Sequence, residues 1–186
     1  MTDEFVEFRK IPRFTREVVI TEKIDGTNAQ IKITEDGRML IGSRTRWITP
    51  EDDNYGFAKW ATQNKDELMK LGAGSHFGEW WGQGIQRNYS QTRKRFSLFN
   101  TSIWSDEAVR PACCDVVPVL YQGMIEEYGV LKGVKTAITQ LQEKGSAAAP
   151  GFMKPEGIVI YHVAANLYFK KTLEKDEEYK GKQKAA

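Results

Sequence analysis

Apolar and polar residues alternate in EVVITEK (17–23) and again in AQIKIT (29–34), the period of two that half-buried strands show. Asp25-Gly26-Thr27 between them has the composition of a tight connection, and Glu35-Asp36-Gly37 signals another turn into RMLIGSRT (38–45). The chain up to Pro50 therefore predicts an antiparallel meander. Thr49 and Pro50 followed by Glu51-Asp52-Asp53 predict a helix start, since a capping hydroxyl, a proline in the first turn and acids at the positive end of the dipole agree there. That helix is expected to run to about Leu71, where Gly72 and Gly74 end it and SHFGEWWG (75–82) resumes extended structure. RFSLFNTSIW (95–104) and CDVVPVLYQG (114–123) read as strands, while Val134, Ile138 and Leu141 recur at helical spacing before Gly145. GIVIYH (157–162) and NLYFKKT (166–172), joined by VAA, predict a final hairpin. With no internal repeat and no long linker, the pattern gives an α+β class, antiparallel sheets with helices packed outside, in one domain over 1–173 and a basic, frayed tail over 174–186.

Composition narrows the class without choosing a function. The chain has 186 residues, 40% hydrophobic and 28% charged, which suits one soluble domain with a substantial core. No apolar run approaches the ~20 residues of a spanning helix, and MTDEFVEFRK lacks the apolar stretch of a signal peptide, so no membrane role and a cytoplasmic place are expected. Cys113 and Cys114 are adjacent, poor geometry for a disulfide and no spaced set for zinc, and a buried reduced pair is expected. A net charge of +2, from 27 basic and 25 acidic residues, does not by itself argue for a nucleic-acid partner. Its distribution says more. Arg87 to Arg95 (RNYSQTRKR) and Lys170 to Lys184 are locally basic, and Arg87, Arg93 and Lys94 are the candidates for holding a nucleic-acid backbone, a solvated face being the alternative.

The densest chemistry lies in Glu22-Lys23-Ile24-Asp25-Gly26-Thr27-Asn28, a lysine at a strand end followed by a turn and an amide side chain. A lysine amine is a nucleophile only when deprotonated, so its pKa must fall well below the reference of ~10.4 through burial, neighbouring cations or a metal. Lys170, Lys171 and a bound metal are candidates for that. The competing reading is a surface hairpin whose Asp-Gly turn happens to follow a lysine. His76 and His162 are isolated and lack metal-ligand spacing.

The stretch from Glu22 to Asn28 resembles the first signature of the covalent nucleotidyltransferase superfamily: ATP-dependent DNA ligases, RNA ligases and capping guanylyltransferases. Further signatures follow in order. Ser43-Arg44-Thr45 resembles the family's short arginine element. Phe77-Gly78-Glu79-Trp80-Trp81-Gly82-Gln83-Gly84-Ile85-Gln86 is similar to the third signature in its RNA ligase form. Phe96-Ser97-Leu98-Phe99-Asn100 resembles the aromatic strand, Glu156-Gly157-Ile158-Val159-Ile160 the glutamate-glycine strand, and Phe169-Lys170-Lys171-Thr172 the terminal lysine strand. The resemblance spans Glu22 to Thr172 and implies the ligase adenylation fold.

It also implies roles. Lys23 would attack the α-phosphorus of ATP and hold AMP as a phosphoramidate, with Glu22 beside it in the nucleotide site. Glu79 would accept a hydrogen bond from a ribose hydroxyl. Phe99 would stack on adenine, with Phe96 as the alternative on the opposite strand face. Glu156 resembles the carboxylate that holds the catalytic Mg²⁺ or Mn²⁺, and Arg44 and Asn28 resemble residues that contact the sugar, the end being joined or the phosphates. Asp25 either takes part or simply holds the turn. The family commonly places two lysines one residue apart on the last strand; here they are neighbours, Lys170 and Lys171, which alternation sends to opposite faces. Lys170 is expected to face the phosphate, with Thr172 adding a hydroxyl.

The resulting expectation is an ATP-dependent RNA ligase that moves AMP through Lys23 to an RNA 5′-phosphate and joins that end to a 3′-hydroxyl. The glycine-rich continuation and Asn28 favour the RNA branch over a DNA ligase core or a GTP-using capping enzyme. A nucleotide- or RNA-binding module of a repair assembly is the non-catalytic alternative. The short run after Thr172 suggests that a separate protein or domain supplies further RNA contacts.

Overall fold

In a computed structural model, residues 5–8, 10–174 and 176 are described. The first alternating run forms β1 (Glu17–Lys23), which turns Val18, Ile20 and Glu22 to one face and Val19, Thr21 and Lys23 to the other. It sits inside a four-stranded antiparallel sheet, ordered β7 (Val119–Met124), β1, β8 (Gly157–His162), β9 (Leu167–Thr172). Val18, Ile20, Ile158 and Ile160 are buried against Ala137 and Leu141 of helix α4 (Lys132–Lys144), which ends at Gly145 with φ 77° as the sequence predicts.

A second sheet runs β3 (Met39–Gly42), β2 (Thr27–Ile33), β4 (Gly74–Gly82), β5 (Lys94–Leu98), β6 (Asp115–Val116), antiparallel except for the β5/β6 pair. Ala29, Ile31, Trp80, Phe96 and Leu98 bury its far face against α1 (Phe57–Gln63) and α2 (Lys65–Leu68). Where the sheets meet, Ile24, Trp81, Tyr89, Val117 and Ala149 form a small junction core. Among the described residues no helix is long and apolar enough to cross a membrane.

The predicted meander holds only for β2 and β3. β1 and β2 belong to different sheets, because each buries its apolar face under a different set of helices. The Asp25-Gly26 link is thus a crossing between sheets, and it passes so close to β4 that a Cβ on residue 26 would stand 2.4 Å from the Trp80 carbonyl oxygen. A second crossing follows β6. Pro118 lacks an N–H and divides the predicted strand 114–123, leaving β6 in one sheet and β7 in the other.

Two other expectations shift. The helix predicted from Thr49 starts at Phe57, after the left-handed Tyr55 and Gly56 (φ 52° and 79°), and Asp53 takes the capping role: its carboxylate accepts from Ala58 N at 2.8 Å and Lys59 N at 3.0 Å. The helical run is interrupted at Asn64 and continues through α2 and a 3-10 turn, Met69–Leu71, to Gly72. The strand predicted over 95–104 stops at Leu98, and α3 (Thr101–Trp104) rotates Trp104 into the second sheet's core. Cys113 and Cys114 are free thiols with sulfurs 3.8 Å apart. Apart from Glu174 and Asp176, the predicted tail 174–186 lies outside the described residues.

Candidate active site

β1 delivers Lys23 at its last position, on the face away from α4, and its pairing with Gly157 sets the amine beside the residue that precedes β8. Lys23 Nζ lies 2.6 Å from Glu156 Oε2, a pair drawn from positions 133 residues apart. Glu79 approaches from the other sheet. Its register partner on β2 is Asn28, and its two oxygens accept from Gly26 N at 3.0 Å and Asn28 Nδ2 at 3.3 Å. Burial pushes the Glu79 carboxyl up to about 7; the Lys23 charge and the Gly26 N–H oppose the rise, while Glu156 and Asp25 add to it. One amine and these carboxylates, brought in by both sheets, thus surround the turn that joins the sheets.

The turn is braced from outside. Arg87 Nε donates to Asp25 Oδ2 at 3.0 Å and Arg87 Nη1 to the Lys154 carbonyl at 3.0 Å, while the buried Tyr89 hydroxyl accepts from Asp25 N at 2.9 Å. Both come from the loop after β4, which holds Gln86, Asn88, Tyr89 and Ser90 at positive φ. Sequence reasoning missed Tyr89, since a tyrosine in a polar loop carries no periodic signal; Arg87, read there as a candidate for a nucleic-acid backbone, is bonded to Asp25 and the Lys154 carbonyl. The basic run 87–95 is largely spent inside the protein: Arg87 on Asp25, Lys94 Nζ on the Tyr55 carbonyl at 2.6 Å, and Arg95 on Asp115 at 2.8 and 2.7 Å. Arg93 is exposed.

The last strand separates its lysines. Lys170 pairs with Val159, which pairs with Thr21, so Lys170 shares the face of Lys23. Lys171 pairs with Ile158 on the α4 face, and its amine is bonded to Asp176 at 2.8 Å. Thr172 pairs with Gly157 in the Lys23 row. The carboxylate of Glu22, by contrast, is not brought to the amine. Alternation turns it to the opposite face, where it is 1% exposed and accepts from Ser146 Oγ at 2.6 Å, Ala147 N at 2.8 Å and Ala148 N at 2.9 Å. Burial raises its pKa against those bonds. Arg44 is exposed in the turn between Ser43 and Arg46, and Phe99, just past β5, is half-exposed while Phe96 is fully buried in the core.

Among the described residues no group of three or more His, Cys, Asp or Glu is arranged to hold a metal ion. The carboxylates near the amine, Glu156 and Glu79, offer hard oxygen donors. They suit a Mg²⁺-type cation whose shell is completed by phosphate oxygens and water, the usual arrangement for that ion.

A family model described as RNA ligase matches residues 16–175. No curated protein sequence matches the chain. Among solved structures, Naegleria gruberi RNA ligase is similar in several forms. A mutant with AMP and Mn gives a TM-score of 0.64 at 18% identity, covering 86% of this chain and 50% of that one. A mutant with ATP and Mn gives 0.66 at 18% identity over 87% and 51%, and the ligase with pyrophosphate gives 0.63 at 18% over 85% and 50%. The likeness establishes the fold of the matched part. This chain spans about half the length of those structures.

Proposed function

The chain belongs to the RNA ligase family, and from that premise we propose that it is an ATP-dependent RNA ligase working through a covalent lysyl-AMP. The Lys23 amine, having lost a proton, attacks the α-phosphorus; an N–P bond forms, the bond to the bridging oxygen breaks, and pyrophosphate leaves. An RNA 5′-phosphate then takes the adenylyl group from Lys23. A 3′-hydroxyl attacks that activated end and displaces AMP.

The observation that carries this reading is the convergence of Lys23, Glu156 and Glu79 from distant parts of the chain, with Lys23 Nζ 2.6 Å from Glu156. Glu156 orients the amine. Glu79, held by Gly26 N and Asn28, presents its remaining acceptor capacity to a ribose hydroxyl. Phe99 offers a half-exposed ring to adenine and Lys170 shares the Lys23 face for the phosphates; Arg44 is assigned to the sugar or the end being joined and Asn28 to the phosphate region. Mg²⁺ or Mn²⁺, held by Glu156 and phosphate oxygens, would neutralise charge on the α-phosphate and the leaving pyrophosphate. Glu22 is assigned a different task, anchoring the 146–148 segment beneath the strand that carries Lys23.

Incubation with α-labelled ATP and Mg²⁺, followed by denaturing electrophoresis, tests the reading. A labelled band in the wild type that is absent from Lys23→Ala is expected, followed by discharge onto 5′-phosphorylated RNA. No band removes the enzyme; a band with GTP instead of ATP, or discharge onto nicked DNA alone, assigns a different nucleotidyltransferase.

A further inference from the structure

The second sheet turns one row of side chains outward beside Glu79. Gly42, Gln30 and Phe77 are register partners across β3, β2 and β4, and Phe99 N donates to the Phe77 carbonyl at 2.9 Å. Gly42 carries no side chain, and the Trp47 ring lies over it: a Cβ on residue 42 would meet Trp47 Cε3 and Cζ3 at 3.2 Å and Gln30 Oε1 at 3.4 Å. The row therefore reads Trp47, Gln30, Phe77, Phe99, and at the ~4.8 Å spacing of strands it crosses roughly 14 Å of sheet. Trp47 is 51% exposed, Phe77 53% and Phe99 40%, although Trp80 and Phe96, their neighbours of opposite parity, are essentially inaccessible.

Rings left open at strand spacing fit flat ligands. An aliphatic protein surface is a poorer match, because a side-chain amide interrupts the row and cations border it. Lys32, next on the same face of β2, and Arg44, in the turn before Trp47, form no ion pair among the described residues. Unpaired cations beside exposed rings complement a phosphodiester strand with its bases turned to the protein. The row also leads into the catalytic centre, since Phe77 and Glu79 sit two residues apart on one face of β4.

We propose that Trp47, Gln30 and Phe77 form a stacking platform for unpaired bases of the RNA end whose 5′-phosphate accepts the adenylate, Phe99 being left to the adenine. The identity of the occupant rests on the ligase reading above. The two aromatic rings supply sequence-tolerant stacking, the Gln30 amide meets a base edge, and Lys32 and Arg44 follow the backbone.

The test is fluorescence anisotropy of the intact chain with a short, 3′-labelled, 5′-phosphorylated single-stranded RNA, beside an abasic oligomer of the same length. Trp47→Ala and Phe77→Ala should each weaken binding to the RNA by about 5- to 150-fold, the range of ~1–3 kcal/mol per stacked base. Binding to the abasic strand should not change, and Trp47→Phe and Phe77→Tyr should bind nearly as the wild type does. Circular dichroism and thermal midpoints identify any variant that has lost its fold, and the conservative pair carries the test in that case. Wild-type RNA affinity in both alanine variants, equal weakening toward the abasic strand, or no measurable binding by the wild type overturns the platform. Labelling with ATP on the same preparations separates the two readings. Labelled protein with flat binding removes the platform alone; an unlabelled wild type whose RNA binding still depends on the rings removes the ligase and keeps the platform.

Discussion

Glu79 is buried close to other carboxylates, and its raised pKa has a signed consequence. A carboxyl whose folded pKa exceeds its unfolded value stabilises the fold fully below the unfolded value, here 4.5, and loses that contribution as pH rises through the folded value, about 7. Glu79→Gln, which cannot ionise, should escape the loss. Urea denaturation at pH 5 and pH 8 is expected to show the wild type losing on the order of 3 kcal/mol relative to this variant; parallel behaviour of the two would mean that the carboxylate is accommodated ionised. Gly26 makes a steric prediction. Its missing Cβ leaves room for the Trp80 carbonyl, so Gly26→Ala should cost about 1–3 kcal/mol, read as a lower urea midpoint, because backbone rather than a flexible side chain must move. At this scale much of the centre was readable. Lys23, Glu79 and Glu156 are residue types the chemistry needs, each in a recognisable local setting. Alternation already separated Lys170 from Lys171. The same alternation turns Glu22 away from Lys23, but its partners at 146–148 come from a loop with no pattern of its own.

Among elements, the loop after β4 binds the sheet-crossing turn to the segment that leads into Glu156. Removing the Arg87 guanidinium leaves Asp25 and the Lys154 carbonyl without their donors, and Arg87→Ala should cost on the order of 1–2 kcal/mol, with Tyr89→Phe costing about 1. Urea unfolding curves measure both, and an unchanged midpoint in each would show that the clamp is idle. Strand periods were legible at β1, β2 and β8, where fully buried positions alternate with half-buried ones, whereas β9 is exposed along most of its length and β4 is buried on both faces in its second half. Sheet membership was not, since β1 pairs with residues about a hundred or more positions away, and no local pattern encodes such a register. The helix start moved from Thr49 to Phe57 because cap residues lie at both places, and the one used is Asp53, which reaches past the left-handed Tyr55 and Gly56. Pro118 marked a break in plain sight; that the pieces go to separate sheets follows only from their distant partners.

For the molecule as a whole, a nucleotide touching Lys23, Glu156 and Lys170 from one sheet and Glu79 from the other would tie the sheets together. Saturating ATP should raise the thermal midpoint, by an amount equivalent to about 2.7 kcal/mol at a hundredfold excess over Kd. Glu79→Gln should show a smaller rise at the same concentration, and no rise in the wild type would count against the bridging position. The two crossings, at Asp25-Gly26 and at Pro118, give the chain a nested order: the second sheet is assembled entirely from residues 27–116, whereas the first needs strands from before and after that block. On a ribosome the inner sheet can close once residue 116 has emerged, while β1 waits for β7, β8 and β9, which are made after it. Lys23 of a nascent chain thereby stays without the carboxylate that meets it until well after the inner sheet has been made.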